Sequence, residues 1–326
     1  MFLLRYLYFA SVVVIAATTC ANAIAQSTNY PNRPLRFIVP YAAGGNGDIV
    51  SRIIAHKLVT QLGQQIVIDN RGGAGGNIGA ELAARAVPDG YTIMLGTNTH
   101  AINMSLYAKP GYDLQRDFAP IALATAAPMV LIIHPSLPAK TVKEFIALAK
   151  AHPNKLNYAT GGSGSSAHVI TELFKSMAGV QLVHVAYKGV AQATTDLIAG
   201  QIQMSFNSIA TALAHMQAGR VRALAISTDT RSTAAPQLPT IAESGLPGFD
   251  ASIWQGIFAP ARTPPEIIAR LNREIVGALG TSEVKDQLGA QGVDAQPSTP
   301  EQFAVFIRAE IARWATVIKV SGAKVD

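Results

Sequence analysis

The chain has 326 residues, 49% of them hydrophobic, and carries a net charge of +6 with a single cysteine. This length permits two lobes with separate hydrophobic cores, and a single cysteine excludes internal disulfides. The basic residues are scattered rather than clustered, so the sequence gives no support to nucleic-acid binding.

The first 25 residues have the layout of a secretory signal peptide. Arg5 precedes an apolar run over 6–17, and Ala23-Ile24-Ala25 is a small-x-small cleavage site. One alternative is a membrane anchor, for which the run is short, and another is lipidation at Cys20, which the preceding residues do not favour. We therefore predict cleavage after residue 25, export, and a mature chain free of cysteine. An exported chain without disulfides is typical of a bacterial periplasm.

Strand and helix patterns alternate after the signal peptide. Short apolar runs at 35–40, 66–69 and 92–96 are typical of buried strands, and apolar residues at helical spacing occupy 49–62 and 76–86 between them. This order of strand, helix, strand, helix and strand favours a parallel sheet with right-handed crossovers.

A second block repeats the alternation with a different set of helices. Its predicted strands are 129–133, 156–159, 182–185, 203–206 and 221–226. A capping box, Thr141-x-x-Glu144, opens the first helix of this block, and a second helix is predicted over 164–177. The C-terminal part is predicted to be mostly helical, with capping boxes at 263–266 and 299–302.

The segment 229–247, rich in Ser, Thr, Pro and Gly, is interpreted as a return crossing to the first block. The sequence therefore predicts an α/β protein with two lobes. The first lobe is discontinuous and comprises residues 26–126 and 229–326, and the second comprises residues 127–228. No second apolar stretch reaches membrane length, so we expect a soluble mature chain.

The loop between the first strand and its helix, residues 40–48, is rich in glycine. Gly44 and Gly45 allow the backbone to approach a ligand closely, and the helix that follows presents amide groups and a partial positive charge. Asp48 is placed to act as the N-cap of that helix. A plain tight turn is the alternative, but the arrangement favours an anion-binding loop.

A second loop of this kind lies in the other block, again between a strand and a helix. It is Thr160-Gly161-Gly162-Ser163-Gly164-Ser165-Ser166, followed by His168. Two helix N-termini in two lobes predict one ligand held from both sides. Neither loop contains Arg or Lys. The sequence therefore predicts that backbone N–H groups, serine hydroxyls and ordered water hold a carboxylate.

Motifs for other kinds of chemistry are absent from the sequence. A third glycine-rich loop, residues 71–79, does not match G-x-G-x-x-G, because Ile78 stands where the third glycine is required. There is no Walker A lysine, and Ser165 replaces the second glycine of a G-x-S-x-G elbow around Ser163. The seven histidines form no i, i+4 pair with a ligand carboxylate. We therefore predict no metal site and no cofactor.

One enzymatic interpretation remains open at the second loop. A secreted serine or amide hydrolase could use Ser163 or Ser165 as the nucleophile and His168 as the base. His168 fits better as a residue that supports the helix N-terminus, because glycines surround the serines and no orienting third group is evident.

Ordered motifs along nearly the whole mature chain resemble the Bug-type receptors of tripartite tricarboxylate transporters. The N-terminal motifs are Tyr30-Pro31-x-Arg33-Pro34, Pro40-Tyr41-x-x-Gly44-Gly45-x-x-Asp48-x-x-x-Arg52, Asn70-Arg71-x-Gly73-Ala74-Gly75-Gly76 and Pro88-Asp89-Gly90-Tyr91-Thr92. The later motifs are Tyr187-Lys188-Gly189, Leu238-Pro239-Thr240-Ile241-Ala242-Glu243, Trp254-x-Gly256-x-Phe258-Ala259-Pro260 and Thr299-Pro300-Glu301-Gln302-Phe303. Two positions depart from the family pattern: Ala43 is often proline there, and Ser51 is often alanine.

The resemblance implies a type II periplasmic-binding-protein fold, in which two α/β lobes flank a hinged cleft. It implies a non-enzymatic, periplasmic solute-binding protein that passes a small carboxylate to integral-membrane permease subunits, and we expect a monomer. The ligand-binding residues implied in the two loops are Tyr41, Ala43, Gly44, Gly45, Asp48, Gly161, Gly162, Ser163, Gly164, Ser165 and His168. Further candidates by position are Thr97, Asn98, Asn207, Ser208, Trp254 and Gln255, although Trp254 fits the core equally well.

Overall fold

A computed structural model describes residues 30–321 except 163, 164, 188 and 233. The predicted signal peptide and its cleavage site lie outside these residues, as do Ser163 and Gly164 of the second loop. Within the described part of the chain, no helix is both long and apolar enough to cross a membrane.

A ten-stranded mixed sheet runs through the molecule. Its strands are β1 (Leu35–Val39), β2 (Ile66–Asn70), β3 (Thr92–Thr97), β4 (Phe118–Ile133), β5 (Asn157–Thr160), β6 (Val183–Ala186), β7 (Met204–Ser208), β8 (Arg222–Ile226), β9 (Ser252–Pro260) and β10 (Asp294–Ala295). The spatial order is β2-β1-β3-β9-β4-β7-β5-β6, and β8 and β10 each pair with β4.

Helices cover the sheet on both faces. They are α1 (Asn46–Leu62), α2 (Asn77–Ala84), α3 (Asn98–Leu106), α4 (Val142–Ala151), α5 (Ser166–Ala178), α6 (Val190–Ile198), α7 (Ile209–Gln217), α8 (Pro265–Gly280), α9 (Ser282–Ala290) and α10 (Pro300–Ser321), with a 3₁₀ turn at Ala74–Gly76. The long helix α10 contacts α3 and α8 in the first half of the sheet and α5 in the second.

The sheet consists of two parallel halves joined by long antiparallel strands. β1, β2 and β3 are parallel to one another, as are β5, β6 and β7. β4 belongs to both halves, because residues 118–128 pair with β9 and residues 129–133 pair with β7 and β8. Ser227, the residue after β8, bonds to β4 and to the segment that leads into β9. Its hydroxyl accepts from the Met129 amide at 2.9 Å, and its carbonyl accepts from the Ala251 amide at 2.7 Å.

The predicted strands and helices of both blocks are confirmed, with their ends shifted by a residue or two in most cases. β4 differs most, because it begins at Phe118 rather than near residue 129. β9, β10 and α3 were not predicted. β9 carries Gln255 and Gly256 inside an otherwise apolar run and is buried over Trp254–Pro260, so it has neither the alternation of a half-buried strand nor an unbroken apolar pattern.

Candidate functional site

The sheet topology brings the ends of its parallel strands together. β3 and β4 both run antiparallel to β9, so the parallel strands of the first half point toward the second half. β7 runs antiparallel to β4 and parallel to β5, so both of these strands point back toward the first half. The segments that follow β1, β3, β5 and β7 therefore converge where β4 passes from one half to the other. Open α/β sheets commonly bind ligands outside the carboxyl ends of their strands.

A direct hydrogen bond joins the two halves at this convergence. The side-chain amide of Asn98, at the start of α3, donates to the Ser166 hydroxyl at the start of α5 over 3.1 Å. Asn98 is 1% exposed. The structure thus brings together the N-termini of two helices that belong to different halves of the sheet.

The first loop leads into α1 differently from what the sequence predicted. Gly45 is the N-cap of α1 and the helix begins at Asn46, so the prediction that Asp48 is the N-cap is wrong. Asp48 instead reaches back from the first turn, and its carboxylate accepts from the Gly44 amide at 2.8 Å. Gly44 has φ +80°, a conformation that favours glycine. Ala43 and Gly45 are exposed in this loop.

The Asp48 carboxylate is the polar centre of the first loop. It is buried, it accepts from Arg52 Nε at 3.0 Å, and it accepts from Asn70 Nδ2 at 3.0 Å. Asn70 also donates to the Tyr41 carbonyl at 3.2 Å. The hydrogen bond from Arg52, aided by those from Gly44 and Asn70, holds the pKa of Asp48 below its ordinary value. The carboxylate therefore fixes the loop through its charged form.

We expect Asp48→Asn to lower the free energy of unfolding at pH 7 by about 1.5–3 kcal/mol, because it removes the charge from this network. The folded-state pKa of Asp48 is below that of the unfolded chain. The stabilisation is therefore present above the unfolded pKa of about 4 and is lost as the pH falls through the folded-state pKa. Urea unfolding should show that the difference in unfolding free energy between wild type and variant shrinks as the pH is lowered from 4 to 2.5.

Asp286→Asn is the matched control for that measurement. Asp286 is exposed on α9, and its replacement changes the net charge equally. Its effect should stay within about 0.5 kcal/mol at either pH. An Asp48→Asn difference that is the same at pH 2.5 and pH 7 would contradict the assigned role of the carboxylate.

A buried polar row continues from the first loop to the end of β3. The Tyr41 hydroxyl lies 2.5 Å from Thr97 Oγ1, and the Thr97 amide donates to His100 Nδ1 at 3.0 Å. Thr97 is the N-cap of α3, and His100 completes its capping box. Burial lowers the pKa of His100 to about 4, so the ring is neutral at pH 7. The sequence did not single out His100, because this box uses histidine in place of glutamate or glutamine.

Gln255 and Trp254 are neighbours on β9 and point to opposite faces of the sheet. Gln255 pairs with Thr97 across the sheet, and its side-chain amide donates to Asn46 Oδ1 at the start of α1. Trp254 is fully buried on the other face, where its indole N–H donates to Glu310 of α10 at 2.8 Å. The structure thus places Gln255 beside the first loop and Trp254 in the core.

The second loop leads into α5 through a serine cap. Ser165 is the N-cap, and its hydroxyl accepts from the His168 amide at 3.4 Å. The Ser165 amide in turn donates to the Gly162 carbonyl at 3.3 Å, and Gly162 has φ +143°. Gly161 and Gly162 are partly exposed. The Ser165 hydroxyl and the backbone bond to Gly162 thus both contribute to holding the described part of this loop.

Three stacked rings lie beneath the second loop. His184 of β6 is 4.1 Å from His168 of α5 and 4.8 Å from Tyr158 of β5, centroid to centroid, with interplanar angles of 9° and 17°. Burial lowers the pKa of His168. Burial, with a smaller contribution from His168, lowers the pKa of His184 to about 4. The sequence did not identify His184, since only the strand pairing of β5 and β6 brings it to the loop.

The candidates at the end of β7 differ in exposure. Asn207 is 2% exposed, its side-chain amide donates to Thr194 Oγ1 at 3.0 Å, and it accepts from Ser205 at 3.1 Å. Ser208 is exposed and caps α7 by accepting from the Thr211 amide at 3.3 Å. Asn207 therefore supports the strand end, and Ser208 presents a hydroxyl at the surface.

A groove lies apart from these loops. It has a volume of about 970 Å³ and lies between residues 228–234 and the segment formed by α9 and residues 293–296, and none of the predicted ligand-binding residues lines it. Among the described residues, no group of three or more histidine, cysteine, aspartate or glutamate side chains is arranged to hold a metal ion.

Comparison with known proteins identifies the family. Residues 50–323 match the family described as "Tripartite tricarboxylate transporter family receptor". The protein BugT of Bordetella pertussis is 38% identical over 313 residues, which cover 95% of this chain and 96% of BugT.

Two solved structures extend the likeness to the fold. The Rhodopseudomonas palustris protein Rpa4515 with adipate is 37% identical, with a TM-score of 0.75 and coverage of 91% of this chain and 100% of that one. The periplasmic binding protein BugD is 33% identical, with a TM-score of 0.72 and coverage of 90% and 99%. These matches confirm the predicted two-lobed, type II solute-binding fold and a solute-binding role. The chain belongs to the Bug-type receptor family of tripartite tricarboxylate transporters.

Proposed function

We propose that this protein is an extracytoplasmic receptor that captures a small carboxylate between two lobes and delivers it to a tripartite tricarboxylate-type permease. The observation that carries the proposal is the bond from Asn98 to Ser166, which joins the two halves of the sheet next to two glycine-rich loops that each open a helix. The adipate in the related Rpa4515 structure supports a carboxylate as the ligand class.

The chemistry of the two loops suits a carboxylate without any basic side chain in the loops themselves. Helix N-termini favour an anion by roughly 0.3–1 kcal/mol each, and hydrogen bonds to a charged group contribute about 1.5–3 kcal/mol each. Several such contacts, after the free-energy cost of ordering the ligand and the loops is subtracted, give a binding free energy of about −8 kcal/mol, which corresponds to a micromolar Kd. The described candidates that are at least partly exposed are Tyr41, Ala43, Gly44, Gly45, Gly161, Gly162, Ser165 and Ser208.

The geometry around Ser165 gives this residue a structural role rather than a nucleophilic one. The Ser165 hydroxyl accepts the His168 backbone amide and caps α5. The His168 ring stacks on His184 with 4.1 Å between the ring centroids. A nucleophile needs a base within hydrogen-bonding reach and a third group that orients it.

The remaining parts of the proposal concern location and partner. Loss of residues 1–25 on export would place the receptor in the periplasm, where the related BugD functions as a periplasmic binding protein. The lobes would comprise 26–126 with 229–326, and 127–228, with β4 crossing between them. A monomer of this kind needs an integral-membrane permease to receive its ligand, because a binding protein has no transport activity of its own.

Calorimetry on protein unfolded and refolded to remove any retained ligand tests this function. We expect micromolar binding of adipate or of a shorter dicarboxylate such as malate or succinate, and a smaller radius of gyration in solution scattering when that ligand saturates the protein. A neutral diamide of the same length is the control and should bind weakly. If the protein binds none of adipate, malate and succinate but turns over an activated ester, the hydrolase is favoured instead.

A further inference from the structure

One buried hydroxyl organises the second loop. Thr160, at the end of β5, is 1% exposed. Its Oγ1 lies 3.1 Å from the Gly162 carbonyl and 3.3 Å from the Gly162 amide nitrogen. The same Oγ1 lies 2.7 Å from His184 Nε2. The Gly162 carbonyl therefore meets two donors, Thr160 and the Ser165 amide, and both peptide groups that flank Gly162 are tied to Thr160.

The direction of these bonds depends on which nitrogen of His184 carries the proton. The Thr160 hydroxyl has one proton, and the Gly162 carbonyl can only accept. When Nε2 of His184 carries the proton, His184 donates to Thr160, and Thr160 donates to the Gly162 carbonyl while it accepts from the Gly162 amide. We take His184 to be this Nε2 tautomer. This arrangement makes His184 the donor that leaves the Thr160 proton free for the loop.

The His184 ring packs against two other rings. Tyr158 and His168 stack on it, and the Tyr158 hydroxyl donates to Glu172 at 2.5 Å. Lys175 pairs with the same Glu172 oxygen at 2.7 Å. The charged and titratable groups around His184 are thus His168, Glu172 and Lys175 of α5 and Tyr158 of β5. These contacts pack the imidazole where its Nε2 atom lies 2.7 Å from Thr160 Oγ1.

We propose that His184 is a positioning residue of the ligand-binding site, which acts through Thr160 to hold the Gly162 peptide groups in the conformation that accepts the carboxylate. The inference rests on the proposed function of the second loop and adds two residues, Thr160 and His184, that the loop motif does not include. Neither residue needs to touch the ligand, since each acts on the backbone of Gly162.

Three substitutions separate this role from simple packing. His184→Phe keeps a stacked ring and removes the Nε2 donor, and Thr160→Val keeps the shape of the side chain and removes the hydroxyl. Each should weaken adipate binding by about 3- to 10-fold in calorimetry, the effect of one lost hydrogen bond. Thr160→Ser keeps the hydroxyl and should bind as wild type does. The double variant His184→Phe, Thr160→Val should be no weaker than Thr160→Val alone.

A control variant removes a similar contact away from the loop. His134 Nδ1 lies 2.7 Å from the Ser136 hydroxyl on an exposed part of the same half of the sheet. His134→Phe should leave both adipate affinity and the second loop unchanged. Equal affinity losses in His134→Phe and His184→Phe would overturn the proposal, because the effect would then not depend on Thr160.

Measurements on the ligand-free protein make the test independent of ligand identity. Amide hydrogen exchange over residues 160–168 should be faster in His184→Phe and in Thr160→Val than in wild type, and unchanged in Thr160→Ser and His134→Phe. Imidazole ¹⁵N shifts should show His184 with its proton on Nε2. Wild-type exchange in both His184→Phe and Thr160→Val, or a proton on Nδ1, would overturn the proposal.

The two hypotheses fail in different ways. If wild type binds no carboxylate but exchange over 160–168 follows the expected pattern, the proposed function fails and the positioning role of His184 stands. If His184→Phe does not fold, the contrast between Thr160→Val and Thr160→Ser carries the test, because Thr160→Ser loses only the methyl group of Thr160 while Thr160→Val loses the hydroxyl that receives the His184 proton.

Discussion

Replacing Gly44 with valine is expected to abolish carboxylate binding, with a loss of affinity greater than about 100-fold. Gly44 has φ +80°, which a β-branched residue adopts only with strain, and its amide donates to Asp48 at 2.8 Å. A valine would displace this amide and stand in the exposed approach to the loop. Losing two or more hydrogen bonds of about 1.5–3 kcal/mol each accounts for the size of the effect. Calorimetry with adipate measures it.

Gly63→Val is the matched control for Gly44→Val. Gly63 has φ +65° at the opposite end of α1, and an added Cβ would meet no atom within 4 Å at either glycine. Both variants should therefore show a similar fall in melting temperature from backbone strain, while only Gly44→Val loses binding. A folded Gly44→Val protein with wild-type affinity would show that the first loop does not contact the ligand.

Among the substitutions proposed for stability, Glu310→Ala is expected to lower the free energy of unfolding the most, by about 3–5 kcal/mol. Glu310 is 2% exposed, and one of its carboxylate oxygens accepts the indole N–H groups of Trp254 at 2.8 Å and Trp314 at 2.9 Å. Arg313 Nη1 lies 3.0 Å from the other oxygen. Alanine would leave two buried indole donors unpaired and a cavity in the core, since both tryptophans are fully buried.

Two further variants show whether the acceptor itself is responsible. Glu310→Gln keeps an oxygen for the indoles and loses only the ion pair, so it should cost less than Glu310→Ala. Arg308→Ala removes a charge from an exposed position on the same helix and should change stability by about 0.5 kcal/mol or less. Urea unfolding of the three variants gives the comparison. Equal destabilisation by Glu310→Ala and Arg308→Ala would contradict the assigned role.

The local patterns of the sequence were sufficient for most elements and for both loops. Apolar periodicity located β1 and α1, and Thr141 caps α4 as its capping box predicted. The glycine-rich loops were found because a strand, a run of glycines and a helix are adjacent in the chain. Ser165 caps α5 in the structure. Such features depend on interactions within a few residues, which sequence alone determines.

The contacts that complete the site depend on residues far apart in the chain. Gln255 and Trp254 are adjacent, and only the packing of α1 on one face of β9 and α10 on the other decides which of them meets the first loop. The bond from Asn98 to Ser166 and the contact of His184 with Thr160 arise from the convergence of strand ends and from strand pairing. Sequence determined the loops and the helices that they open. Tertiary structure decided what lies behind and between them, because side chains on neighbouring strands meet only after the sheet has formed.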